Sequence, residues 1–165
     1  CLPFSSKHIP LYFVSLEKKE YTSGWRKFLY GGTFFRLMGA YPAYIGLKNY
    51  RESLKHHLRL ISEGKNIVIF PMGKIYFEGE PGKAKGGAIF LAKESNLPII
   101  PVFIKGIEKL TLVDFLLRKR KLTVNFGKPI SFEELSKDID KDNEDERSIC
   151  EKAASVLMKK ISQLV

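Results

Sequence analysis

The stretch from Asn66 to Val102 places the strongest constraint on what this chain can fold into. It opens with the apolar, largely β-branched run 67–70, which predicts a strand covered on both faces. Pro71 and Gly73 then end that strand abruptly. A polar loop, a short helix opened by two glycines and a second apolar strand complete the stretch. This order of elements predicts an α/β fold.

Three lysines, Lys74, Lys83 and Lys85, lie between the first strand and the helix that opens with Gly86 and Gly87. Free backbone N–H groups at a helix start, with lysines close by, favour an anion such as a phosphate. An ordinary β-α-β unit with solvated lysines fits the same pattern. The residues alone leave both interpretations open.

Composition narrows the class of protein. The chain has 165 residues, of which 44% are hydrophobic, so it is long and apolar enough for one domain with a core rather than a disordered chain. Its net charge of +10 suits a partner that carries phosphates: an anionic membrane, a phospholipid or a nucleic acid. No nucleic-acid motif accompanies the charge, so no nucleic-acid partner is expected. Cys1 and Cys150 lack metal-ligand spacing, and we expect no metal site.

Three motifs carry a resemblance to a known family. They are Phe70-Pro71-Met72-Gly73-Lys74, Lys85-Gly86-Gly87 and Pro98-Ile99-Ile100-Pro101-Val102. In order and spacing they resemble motifs of the glycerophospholipid acyltransferase family, which includes the bacterial 1-acylglycerol-3-phosphate acyltransferases, over roughly residues 12–134. We expect a single α/β domain over 1–165, with a mixed or mostly parallel sheet of about five to seven strands flanked by helices.

The resemblance implies transfer of a fatty acyl group from acyl-CoA or acyl carrier protein to the hydroxyl of lysophosphatidate or a similar lysophospholipid, with no cofactor. In the family a His-x-x-x-x-Asp motif supplies the general base and the group that orients it. None of His8, His56 and His57 has an Asp five positions on. We therefore expect the catalytic pair to precede Cys1, which would leave this domain N-terminally incomplete. The adjacent His56 and His57 are interpreted as solvated surface residues.

The resemblance assigns the acceptor-binding cradle to a set of small and basic residues. They are Gly73, Lys74, Lys83 and Lys85, with Arg36 as a looser candidate. Two positions depart from the family: Met72 stands where the family has a Glu, and Ile45 stands where it has a phosphate-binding Arg. Neither side chain can make the corresponding polar contact. These departures keep open an alternative: a catalytically inactive member that serves as a lipid-binding or membrane-surface scaffold.

Two basic segments are candidates for contact with a membrane surface. Residues 17–38 mix cations with aromatic side chains, and the apolar triplet 115–117 is followed by four cations at 118–121. Either segment suits a lipid headgroup boundary. The alternatives are a core helix with a cationic outer face and an exposed loop. With the resemblance, the expected location is the cytoplasmic face of a membrane, with its anionic surface as a partner.

The remaining elements follow from periodicity. Residues 11–16 and 122–126 read as strands, and the apolar stripe from Leu47 to Ile61 predicts an amphipathic helix that Gly64 ends. Residues 131–142 read as an acidic connection. Asn143 and Glu146 form a candidate capping box for a C-terminal helix that packs on the sheet.

Overall fold

The computed structural model describes residues 11–16, 39–44, 49–73, 83–106, 111, 113–114, 117, 119, 121–140 and 143–165. The fold class is α/β, with a parallel sheet and flanking helices, as the sequence predicts. The chain falls into two compact units, Cys1–Gly73 and Lys74–Val165. The number of independent domains stays a prediction.

The first unit is built on a three-stranded parallel sheet of order β2-β1-β3. Strand β1 is Leu11–Leu16, β2 is Ala40–Ala43 and β3 is Asn66–Val68. Helices α1, Tyr50–Ser53, and α2, Lys55–Ser62, form the crossover from β2 to β3. A crossover of this kind is required because β2 and β3 flank β1 and both run parallel to it, and parallel strands cannot be joined by a tight hairpin.

Strand β1 is confirmed where the sequence predicts it, and it pairs with both neighbours. The prediction of a doubly covered strand at 67–70 is wrong in extent and burial. The ladder of β3 ends at Val68, and Phe70 keeps 61% of its surface exposed. In the described sheet β3 pairs with β1 alone, so it is an edge strand there.

The amphipathic helix is observed as the consecutive helices α1 and α2, and Gly64 follows α2 with φ +74°, the left-handed conformation of a C-terminal stop. Its apolar side buries Leu54 and Leu60. The interpretation of both histidines as solvated is wrong. His57 is fully buried and His56 is half-buried, because α2 packs against β2 and β3 and turns this side inward.

His57 occupies an unusual environment for a titratable group. Neither ring nitrogen makes a hydrogen bond of normal geometry within the described residues. Burial lowers the pKa of His57 from 6.5 to about 4; the backbone of Tyr41 opposes this shift, and His56 adds slightly to it. The neighbouring His56 instead shares a 3.0 Å hydrogen bond between its Nε2 and the Tyr44 hydroxyl. His57 is therefore a neutral core residue near pH 7.

We predict that the protein loses stability as the pH falls from 6.5 towards about 4. The unfolded chain protonates His57 at the higher pH and the folded chain only at the lower one, so the unfolded state binds more protons in this window. The cost reaches about 3 kcal/mol once both states are protonated. Urea unfolding at a series of pH values measures the slope.

His57→Leu should flatten that slope and leave stability at neutral pH unchanged or higher, because it removes a buried imidazole whose nitrogens make no hydrogen bond of normal geometry within the described residues. His56→Gln is the matched control, since it alters the adjacent histidine, and it should keep the wild-type slope. A slope unchanged in His57→Leu would contradict the assignment.

The second unit is built around helix α3, Gly87–Ser95. Helices α4, Phe132–Leu135, and α5, Glu146–Ser162, pack against it, and α5 also packs against β4. Strand β4, Val102–Lys105, pairs antiparallel with β5, Thr123–Phe126. The largest fully buried side chains of this unit are Phe90, Ile89, Leu135, Leu157, Cys150 and Ser136.

Three local predictions in the second unit need correction. The apolar strand expected at 97–102 begins only at Val102, because Pro98 and Pro101 have no N–H to donate to a ladder. The cap of α5 is Asp145, whose side chain accepts from the Ser148 amide, and not Asn143. The stretch predicted as a connection contains α4.

The cap of α4 had a recognisable signal. The hydroxyl of Ser131 accepts from the amide of Glu134 at 3.2 Å. Ser131 and Glu134 have the Ser-x-x-Glu spacing of a capping box. That spacing could have identified the helix from the sequence.

Candidate functional site

The motif Phe70–Gly73 folds as a tight turn after β3. The Gly73 amide donates to the Phe70 carbonyl at 3.0 Å. Gly73 has φ +63°, which a side chain would strain, and Pro71 supplies the fixed φ that suits the second position of a turn. Met72 is half-buried within it. The turn explains why this motif needs its proline and its glycine.

The basic segment before α3 alternates between solvent and core. Lys83 and Lys85 are exposed, whereas Ala84 and Gly86 are buried. Alternation with a period of two is typical of an extended chain, in which every second side chain leaves on the same side. The burial of Ala84 and Gly86 thus presents two ammonium groups to solvent directly before the helix.

The start of α3 has neither a capping side chain nor an acidic residue of its own in the first turn. Its N-cap is Gly86, which has no side chain to accept from the first amides, and the first turn contains no acidic residue. The first amides of a helix have no intrahelical partner and form the positive end of its dipole. These amides and the two lysines make the start of α3 chemically suited to an anion.

The two lysines differ in their surroundings. The ammonium of Lys83 donates to Oε2 of Glu151 on α5 at 2.8 Å, and Oε1 of the same carboxylate accepts from Nε of Arg147 at 3.1 Å. Hydrogen bonds from Lys83 and Arg147 lower the pKa of Glu151, so its carboxylate is charged at neutral pH. Among the described residues, no carboxylate lies within ion-pair distance of Lys85.

The sequence-predicted cradle is described only in part. Gly73 ends the first unit, and Lys83 and Lys85 lie in the second. Lys74 and Arg36 fall outside the described residues, as does Ile45, so these assignments stay predictions. In the part of the chain that the structure describes, no cluster of His, Cys, Asp or Glu could hold a metal ion.

Sequence reasoning missed the acidic partner of the cradle. Glu151 lies 68 positions after Lys83, and the C-terminal helix was expected only to pack on the sheet. The spacing of Arg147 and Glu151, four residues apart on one helix, predicts their mutual ion pair. Nothing in the sequence indicates that Lys83 joins it.

Comparison with known proteins assigns the family. The Acyltransferase family profile matches residues 12–105, more than half of the chain. A 1-acyl-sn-glycerol-3-phosphate acyltransferase from Streptococcus pneumoniae (strain ATCC BAA-255 / R6) is 30% identical over 138 residues. The chain belongs to the acyltransferase family.

Family membership confirms the resemblance drawn from the three motifs. The match to the streptococcal acyltransferase covers 82% of this chain but 47% of the relative, so the chain spans about half the length of the curated relative that it matches. No solved structure matches the chain significantly. The acyltransferase profile ends at Lys105, so it includes both the turn at Phe70–Gly73 and the whole of α3.

We predict that Lys85→Ala weakens binding of a phosphate monoester probe, glycerol 3-phosphate, to this protein more than Lys83→Ala does. Lys83 already pairs with Glu151, whereas no carboxylate of the described residues lies within ion-pair distance of Lys85. The expected loss is about threefold to tenfold for Lys85→Ala and less than about twofold for Lys83→Ala. Calorimetric titration at low salt measures both.

Lys128→Ala is the matched control, because it removes one charge from an exposed lysine that follows β5. It should shift the affinity only slightly, through the change in overall charge. Equal losses in all three variants would show that net charge, and not the start of α3, governs binding.

Proposed function

We propose that the whole protein transfers a fatty acyl group from a thioester to the hydroxyl of lysophosphatidate or a similar lysophospholipid. The observation that carries this proposal is the acyltransferase match over residues 12–105. The name of the streptococcal relative, a 1-acyl-sn-glycerol-3-phosphate acyltransferase, supports a 1-acylglycerol-3-phosphate acceptor. The exposed lysines before α3 and the backbone amides at its start, which have no side-chain cap, suit the phosphate of such an acceptor.

The reaction exchanges one ester for another. The acceptor oxygen bonds to the thioester carbonyl carbon, the carbon–sulfur bond breaks, and the thiol of coenzyme A or acyl carrier protein leaves. A general base takes the hydroxyl proton, which contributes about 10²–10⁴-fold to the rate in enzymes of this kind. The resemblance assigns that base to a histidine oriented by an aspartate, both proposed to precede Cys1. The residues described above would hold the acceptor.

An anionic membrane surface is the proposed location of the reaction, at the cytoplasmic face. The net charge of +10 supports attraction to anionic lipids, and the acceptor itself is a lipid. Within the described ranges, no helix has both the length and the apolar character needed to cross a bilayer.

The direct test is release of free thiol by the full-length protein supplied with a long-chain acyl-CoA, or acyl carrier protein, and lysophosphatidate. We predict release that depends on the acceptor, and an acceptor KM raised about tenfold in Lys74→Ala with kcat little changed, because a lost ground-state contact affects binding. Lys128→Ala serves again as the control. Kinetics unchanged in Lys74→Ala would remove that residue from the site.

A lipid-binding scaffold is the second candidate, and Met72 favours it. The side chain at this position has no strong hydrogen-bond acceptor, whereas the family glutamate can accept from a hydroxyl or a cation. Binding to anionic vesicles without thiol release from any lysolipid would support the scaffold and contradict the enzyme.

Substitution at Met72 separates the two candidates further. If the wild-type enzyme is only weakened there, Met72→Glu should raise acceptor-dependent thiol release about tenfold or more, since it restores a charged acceptor. Met72→Gln, similar in size but uncharged, should give a smaller gain. A protein that stays inactive in both variants fits the scaffold.

A further inference from the structure

We infer that Glu151 limits how tightly the start of α3 binds the phosphate of the acceptor, because it holds Lys83. This inference rests on the proposed function and adds a residue of the C-terminal helix to it. Glu151 would contact Lys83 rather than the acceptor, and is therefore a positioning residue.

The first step is the geometry of the ion pair. Lys83 Nζ lies 2.8 Å from Oε2 of Glu151, and the other oxygen of that carboxylate is engaged by Arg147. At such separations a carboxylate cancels most of the field of one ammonium group at a distance. Lys83 and Arg147 share this one carboxylate, so Glu151 reduces, but does not cancel, the positive potential near the start of α3 while the pair is formed.

The second step concerns what the pair does for the structure. The side chain of Lys83 is 77% exposed and that of Glu151 is 24% exposed. Exposed ion pairs of this kind contribute little to stability. The segment is anchored in any case by the buried Ala84 and Gly86, and the burial of Gly87–Ala92 fixes the helix that follows. The ion pair therefore affects mainly the electrostatic potential of this segment and has little effect on the position of its backbone.

The phosphate of the acceptor and the carboxylate of Glu151 would compete for Lys83. A phosphate monoester carries more charge than a carboxylate and can accept from both the amides and a lysine. A weak, exposed pair can open to release Lys83 to such a ligand, at the cost of breaking its bond to Glu151. Removing the carboxylate removes that cost, so the acceptor should bind more tightly.

The test compares Glu151→Gln with the wild type in the full-length protein, with two readouts: acceptor KM in the thiol-release assay and the dissociation constant of glycerol 3-phosphate. We expect both constants to fall about twofold to fivefold, with kcat little changed, and the effect to shrink as salt is added. Glu151→Asp, which keeps the charge, should restore values near those of the wild type.

Glu144→Gln is the matched control. Glu144 also lies on the approach to α5 and pairs with Lys152, so the variant removes the same charge without touching Lys83. It should leave both constants near the wild type. In a Lys83→Ala background, Glu151→Gln should lose most of its effect, since the partner through which it acts is gone.

The outcomes separate this inference from the proposed function. A wild type that releases no thiol, with glycerol 3-phosphate binding that still tightens in Glu151→Gln, would overturn the proposed function and support the inference. An active wild type whose acceptor KM is unchanged or raised in Glu151→Gln would overturn the inference alone. An equal gain in Glu144→Gln, or a full effect without Lys83, would overturn it as well.

Discussion

The burial of helix α3 is the constraint on which the account of the site depends. All six residues from Gly87 to Ala92 are buried, and α4 and α5 pack against the helix. Because its body is fixed in the core of the second unit, its first amides cannot turn away from the segment that precedes them. The same burial of Ala84 and Gly86 keeps Lys83 and Lys85 on the outside. Packing therefore sets the position of the positive charge.

The C-terminal helix contributes to this arrangement twice. Its apolar side, with Ala153, Ala154 and Leu157, fills the core beneath α3. Its polar side pairs with lysines at both ends of the α3 region, Lys83 through Glu151 and Lys93 through Glu146. The helix lies outside the residues that the family profile matches.

The sequence predicts elements whose signals are local. Strand β1 is mostly apolar, the start of α3 follows from its two glycines, and Gly64 ends α2 through its positive φ. The fate of His57 could not be predicted in the same way. Its burial depends on packing against β2, which is separated from it in the sequence by helix α1. The sequence alone does not distinguish a buried histidine from a solvated one.

The same distinction between local and long-range signals applies to the site. The turn at Phe70–Gly73 and the lysines before α3 are encoded in contiguous residues, and motif order alone is enough to recognise the family. The pairing of Lys83 with Glu151 joins positions that are far apart and becomes visible only when α5 is packed against α3. The charged residues of the site can be identified from the sequence. Their oppositely charged partners are identified only when the tertiary packing is known.

We propose that a phosphate head group binds at the start of α3. A titration of glycerol 3-phosphate into the isotope-labelled full-length protein, followed through backbone amide resonances, tests this binding. We predict saturable shifts at Lys85, Gly86 and Gly87, and none at Asn96, which caps the opposite end of the helix. Shifts that are absent at saturating ligand, or spread evenly along the helix, would contradict it.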